Sequence, residues 1–248
     1  MQQENINIHT LWIGDKLSLL ECLTIKLLQK HNHTVNLWCY GNIENVPIGT
    51  ILRDAREILP QDSIFRFIGK PPLKGIPNNG IGSLSHWSDQ FQLKLLYKYG
   101  GIYLQLDVAC LRPLDFKQEY TFASNGGTDS LAAFLMKCPV NSHFTDLAYQ
   151  KLVKSVNPST MHRLPWGASM NIMGNVLKRS MQNPQDYFLS QKYFLDLGMR
   201  SNGPFFESTP LPEDVYIIHW SNATIHKHKN TPIHGSIYHQ LLLSVGLL

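Results

Sequence analysis

The first forty residues read as strand, helix and strand, and that order constrains the fold more than any other feature of the chain. Ile6 to Trp12 is a short apolar run with the look of a buried strand. From Lys16 to His31, apolar residues fall at Leu17, Leu20, Leu23, Leu27 and Leu28, which is a helical period. Thr34 to Tyr40 is rich in β-branched and aromatic residues and predicts the next strand. A helix that returns the chain to a neighbouring parallel strand makes a βαβ unit. The expected class is therefore α/β, with a mostly parallel central sheet flanked by helices. In such sheets ligands bind beyond the carboxyl ends of the strands, and Trp12, Ile13 and Gly14 stand at one such end.

A length of 248 residues suits one large domain spanning 1–248. Hydrophobic residues make up 43% and charged residues 16%, which excludes a disordered chain. The formal charge of +4 suits a phosphate-bearing ligand or peripheral contact with an anionic membrane surface. No long basic run is present, so nucleic acid is not an expected partner; the nearest is His226-Lys227-His228-Lys229. Cys22, Cys39, Cys110 and Cys138 have no metal-binding spacing and sit in apolar surroundings, so four buried thiols in a reducing compartment are expected. The N-terminus has neither the basic nor the apolar region of a signal peptide, and no apolar run is long enough to span a bilayer. A cytoplasmic protein is the expectation.

Further along, residues 70 to 83 are rich in Gly, Pro and Asn and predict a loop. Ser85 or Ser88 is placed to cap a helix running to about Tyr99, with Gly100-Gly101 ending it as an αL cap. Gly101 to Ala109 reads as one strand. Helices are predicted at 142–155 and 170–182, a strand from Val215 to Trp220, and a last helix from Ser236 to Leu243.

The chemistry concentrates between Ser88 and Asp107. On the predicted helix, Asp89 and Gln92 share a face with Leu96, so both point inward; Gln90, Lys94 and Lys98 form a separate polar stripe that reads as solvated. A carboxylate pointing inward needs a partner, because burying it alone is costly. In the strand, Ile102, Leu104, Leu106 and Val108 lie on one side, and Tyr103, Gln105 and Asp107 on the other. Two readings of these acids stand side by side: ligand groups at a strand's carboxyl end, or satisfied structural carboxylates.

The run WSDQFQLKLLYKYGGIYLQLDV resembles the sugar-binding region of DXD-type glycosyltransferases, whose pattern is S-D-x-x-R, GG-x-Y or GG-x-W, then D-x-D. That group includes bacterial capsular and lipopolysaccharide transferases, α-1,4-galactosyltransferase relatives and clostridial glucosylating toxins. Leu11-Trp12-Ile13-Gly14 resembles the family's opening, Asp54-Ala55 with Ile58-Leu59-Pro60 its D-A-x-x-I-L-P segment, Ile218-His219-Trp220-Ser221-Asn222 its H-x-W-N segment, and Gly235-Ser236-Ile237 its ending.

The resemblance implies a GT-A, Rossmann-like domain. It also implies transfer of a sugar from a nucleotide-diphosphate donor, a UDP-sugar, to a glycan or lipid-linked oligosaccharide acceptor, with retention, in bacterial surface polysaccharide synthesis. A divalent cation, Mn²⁺ or Mg²⁺, would be held by Asp107 and His219, since hard oxygen ligands suit both ions and an imidazole favours Mn²⁺. Trp12, Ile13, Gly14, Asp89, Gln92, Tyr103, Gln105 and Lys227 would bind the donor, with Asp107, Asp89 and Gln105 at the reacting centre. Lys227 or Lys229 would reach the diphosphate, or belong to an exposed basic loop. His219 equally reads as a core histidine. Trp166, in Pro165-Trp166-Gly167, would stack on the acceptor, or be a core tryptophan.

Gln105 replaces the first Asp of the motif and Gln92 the helix Arg. Losing both charges together avoids leaving one unpaired, and two amides still donate and accept hydrogen bonds. The expectation is a retuned donor site; the rival is a catalytically silent nucleotide-sugar binder. No phosphate-loop or dinucleotide glycine motif is present to support another α/β nucleotide enzyme.

Overall fold

A computed structural model describes residues 7–69, 81–124, 131–196, 208, 213–220, 222–225 and 228–248. In chain order the elements are β1 (Asn7–Leu11), α1 (Leu19–Lys30), β2 (Thr34–Cys39), β3 (Ile51–Asp54), α2 (Ser85–Tyr99), β4 (Gly101–Leu104), β5 (Val108–Cys110), β6 (Thr121–Ser124), β7 (Leu131–Cys138), α3 (His143–Ser155), α4 (Ala168–Ser180), β8 (Phe194–Asp196), β9 (Ile217–His219) and α5 (Ile237–Ser244). Short 3₁₀ turns and one helical turn at Asn222–Ile225 lie between them. The chain forms two compact units, Met1–Asp54 with Leu104–Lys117 and Ser190–Leu248, and Ala55–Tyr103 with Gln118–Leu189.

In the first unit the βαβ expectation holds. Strands β1 and β2 run parallel with Ile8 opposite Val35 and Leu11 opposite Trp38, and β3 pairs parallel to β2. Helix α1 begins at a capping box: the Ser18 hydroxyl accepts from the Leu20 N–H, and Glu21 reaches back to the Ser18 N–H. The apolar stripe read from the sequence becomes its core face, with Leu20, Leu23 and Leu27 packed around Ile218, Trp220, Tyr238 and Leu242. A small sheet has β9 at its centre, antiparallel to β5 and parallel to β8. Ser236 caps α5 through the His239 N–H.

In the second unit, α2 and α3 pack together, α3 packs on α4, and α4 lies against β7. Strand β7 is buried along almost its whole length and pairs antiparallel with β6. Ser142 caps α3 by accepting from the Thr145 N–H.

Four sequence expectations change. The strand from Gly101 to Ala109 is two strands with a turn at Leu106-Asp107, and the second belongs to a different sheet from the first. Alternation of apolar residues continues through the turn, which is why the sequence does not reveal it. Neither Ser85 nor Ser88 caps α2: its N-cap is Leu84, with no side-chain hydrogen bond, and the Ser83 hydroxyl accepts from the Ser85 N–H instead. Gly100 has the positive φ of 61° expected at the helix end, but ψ of −157° puts it outside the αL well. Gln90 is not solvated: it is buried, and its Nε2 donates to the Val156 carbonyl at 2.6 Å. The packing of α3 on α2 covers a face that a lone helix would leave to water.

The four cysteines are buried free thiols. No helix among the described residues is long and apolar enough to cross a membrane. Most of the loop at 70–83 lies outside the described residues, as do Ser221 and Lys227.

Candidate active site

In the first unit, Asp107 sits in the turn between β4 and β5, and the register of β5 with β9 brings His219 opposite Val108. The Trp220 N–H donates to the Asp107 carbonyl at 2.9 Å, tying the turn to the end of β9. Asp107 Oδ2 accepts from the Asn222 N–H at 2.7 Å and lies 3.7 Å from His219 Nε2. Oδ1 is buried with no hydrogen-bond partner. Burial pushes this carboxyl up, but His219 and the Asn222 N–H outweigh it and hold the group below its usual value. An ionised carboxylate with one orphaned oxygen, beside an imidazole, fits a divalent cation that takes its remaining ligands from elsewhere. Among the described residues no group of three or more His, Cys, Asp or Glu side chains gathers as a complete metal cage. Gln105 is half-buried just before this turn.

Trp12 follows β1, and its N–H donates to the Trp38 carbonyl at 3.0 Å. Ile13 and Gly14 continue the chain past the strand's carboxyl end; a Cβ on Gly14 would stand 3.0 Å from Trp12 Nε1, so the glycine lets the indole lie against the backbone. Trp12 Nε1 is itself buried without a partner. Lys229 lies over the indole, its Nζ 5.6 Å from the ring centroid, and pairs with Glu21. Its side chain is only 11% exposed, so the exposed basic loop does not describe it.

In the second unit, Asp89 is buried on α2 near Ser169 at the start of α4. Burial raises its carboxyl to about 7, against a weaker pull from the Ser169 hydroxyl. Gln92 is 1% exposed, and neither atom of its amide has a hydrogen-bond partner. Both residues do point inward, as their helical spacing predicts. Tyr103 is buried in β4. Trp166 is 41% exposed rather than a core residue. Its ring stacks on His86 at 5.5 Å and 18°, and Phe67 lies 4.4 Å from the same histidine. His86 Nε2 is buried without a partner, and burial lowers this imidazole to about 4.

The structure thus joins Asp107 to His219 and Trp12 to Lys229 in one unit, and sets Asp89, Gln92, Tyr103 and Trp166 in the other. Sequence reasoning missed Glu21, His86 and Ser169. A signal existed for two of them: Ser18-x-x-Glu21 is a capping-box pattern, and His86 precedes Asp89 by one helical turn. Ser169 carries no such mark, since only the packing of α4 brings it to α2.

Residues 72–123 match the family described as a glycosyltransferase sugar-binding region containing a DXD motif. No curated protein matches the chain in sequence. Among solved structures, the galactosyltransferase LgtC in complex with donor and acceptor sugar analogs is similar, with 12% identity and a TM-score of 0.54, over 98% of this chain and 96% of that one. An active-site mutant of LgtC is similar too, with 10% identity and a TM-score of 0.52, over 96% of each chain. The PaToxG glycosyltransferase aligns over 71% of this chain and 68% of its own, with 16% identity and a TM-score of 0.47. The chain therefore has the GT-A glycosyltransferase fold, and its residues 72–123 match the sugar-binding region of the DXD-type family.

Proposed function

We propose that this chain is a single-domain, metal-dependent glycosyltransferase that moves a sugar, with retention, from a UDP-sugar to a glycan or lipid-linked oligosaccharide. The observation that carries the reading is Asp107, an ionised, half-buried carboxylate whose buried Oδ1 has no hydrogen-bond partner, beside His219. Asp107 and His219 would hold Mn²⁺ or Mg²⁺. A divalent cation there supplies positive charge for the diphosphate leaving group.

The chain's own residues supply the rest. Trp12 offers an indole face to the base, with Ile13 and Gly14 beside it. Asp89, Gln92, Tyr103 and Gln105 offer hydrogen bonds to the donor, and Lys227 a charge to its phosphates. Asp89 and Gln105 orient the sugar at the reacting carbon. Trp166 offers a ring face to the acceptor. No covalent nucleophile is assigned; rate comes from positioning and leaving-group stabilisation. The proposed setting is lipopolysaccharide or capsular polysaccharide synthesis in the cytoplasm, at the inner face of the membrane.

A second reading, a silent nucleotide-sugar binder, is favoured by one observation: Gln92 and Gln105 stand where the DXD-type pattern has an arginine and its first aspartate. One experiment separates the two. Nucleotide release from a panel of UDP- and GDP-sugars with Mn²⁺ is measured on wild type and Asp107→Ala. Release from one donor, abolished in the variant, supports the transferase. Mn²⁺-dependent binding with no turnover, even when glycan acceptors are added, supports the silent binder. No binding of any nucleotide sugar sinks both.

A further inference from the structure

Lys229 is a cation without a free charge. Its Nζ pairs with Glu21 Oε1, a carboxylate 1% exposed on α1. The other Glu21 oxygen accepts from the Ser18 N–H and hydroxyl. Both ends of this pair are fixed by the surrounding fold. Glu21 belongs to the capping box of α1, and the Tyr238 hydroxyl donates to the Lys229 carbonyl at 2.7 Å. Asn230, the next residue, accepts from the Leu19 N–H through its side chain at 3.0 Å.

This anchored ammonium lies 5.6 Å from the centroid of the Trp12 indole. Trp12 Nε1, a donor, has no hydrogen-bond partner of its own. The ring is therefore oriented by packing and by the cation, not by a bond from its nitrogen. A cation over the face of an indole is attracted by the ring's negative face, so Lys229 helps to fix the plane of Trp12. A buried carboxylate is tolerated only with a countercharge, which Lys229 supplies. The same lysine thus neutralises Glu21 and sets Trp12.

We propose that Glu21 and Lys229 are a positioning pair that holds Trp12 as the platform for the base of the nucleotide. Lys229 on this account is not a phosphate ligand. The proposal rests on the reading of Trp12 as the base-stacking residue.

Phosphate content separates the roles. Binding of uridine, UMP and UDP with Mn²⁺ is measured by calorimetry on the full chain and on Lys229→Met, Lys229→Arg, Trp12→Ala and the double variant Glu21→Gln with Lys229→Met. The double variant removes both charges, so no unpaired charge is left buried to unfold the protein. A positioning pair predicts that Lys229→Met and the double variant weaken all three ligands by the same factor, about 3- to 30-fold. Lys229→Arg, which keeps the cation over the ring, should retain most of the binding. In turnover the loss should fall on KM with kcat little changed. A loss confined to UDP overturns the proposal and makes Lys229 a phosphate ligand. Unchanged binding in the double variant overturns it and leaves the pair a structural contact. Unchanged binding in Trp12→Ala instead overturns the base-platform reading itself, and is recognised by that variant alone.

Discussion

At the scale of single residues, two buried polar groups on α2 carry predictions. Gln92 leaves both amide atoms unpartnered. A buried unsatisfied group costs about 1–3 kcal/mol. Gln92→Leu should therefore stabilise the ligand-free protein by roughly that amount in urea unfolding, while lowering donor turnover. A variant that is both less stable and fully active would contradict a ligand role for the amide. Asp89 makes a second prediction through its carboxyl, raised by burial from 3.8 to about 7. The folded state keeps this proton to higher pH than the unfolded chain does. The associated stability is fully present below about pH 4 and is lost as pH rises through 7, a total on the order of 4 kcal/mol. Asp89→Asn removes the titration. Its unfolding free energy should match wild type near pH 4 and exceed it at pH 8; parallel profiles across that range would refute the assignment. The inward position of both residues is legible from helical spacing. Their lack of counter-charge is not, because partners come from other elements.

At the scale of elements, the end of α2 packs closely on the chain that follows β7, where the Asn141 N–H donates to the Tyr97 carbonyl at 2.8 Å. Gly100 has φ of 61°, and a Cβ there would stand 2.8 Å from the Val140 backbone nitrogen. Gly100→Ala combines backbone strain with a clash that no side-chain rotation relieves. It should destabilise the protein by about 1–3 kcal/mol or more, seen as a lower urea midpoint with an unchanged slope. An unaffected midpoint would mean that the junction is not close-packed. Helices α1, α3, α4 and α5 form within a few residues of where the sequence predicts them; Ser18, Ser142 and Ser236 cap three of them, and α4 starts after Gly167 with no side-chain cap. Strand β7 went unread because it is buried on both faces, so it has no alternation to reveal it. The turn at Leu106-Asp107 was missed for the opposite reason: an alternating pattern ran straight through it.

At the scale of the whole molecule, ligand binding should appear as stability. UDP with Mn²⁺ at a hundred times its dissociation constant adds about 2.7 kcal/mol to the folded state. For a chain of this length that corresponds to a rise in Tm of about 5–10 °C. The rise should vanish in Asp107→Ala if the cation is held there. An equal rise without Mn²⁺ would separate nucleotide binding from the metal.

Legible in the sequence were the α/β class, the opening βαβ unit, the positions of the longer helices and, through helical spacing and the resemblance to the DXD-type pattern, Asp89, Gln92, Asp107, His219 and Trp12 as site candidates. These are local properties: periodicity, caps and motif spacing act within a few turns or strands of chain. Only the tertiary structure decided what each candidate touches. It turned the chain at Asp107 and brought His219 and Asn222 to the same carboxylate from more than a hundred residues away. It buried Gln90, exposed Trp166, and took Lys229 out of solvent to neutralise Glu21. Charge compensation and desolvation are sums over neighbours in space, and neighbours distant along the chain leave no local mark in the sequence.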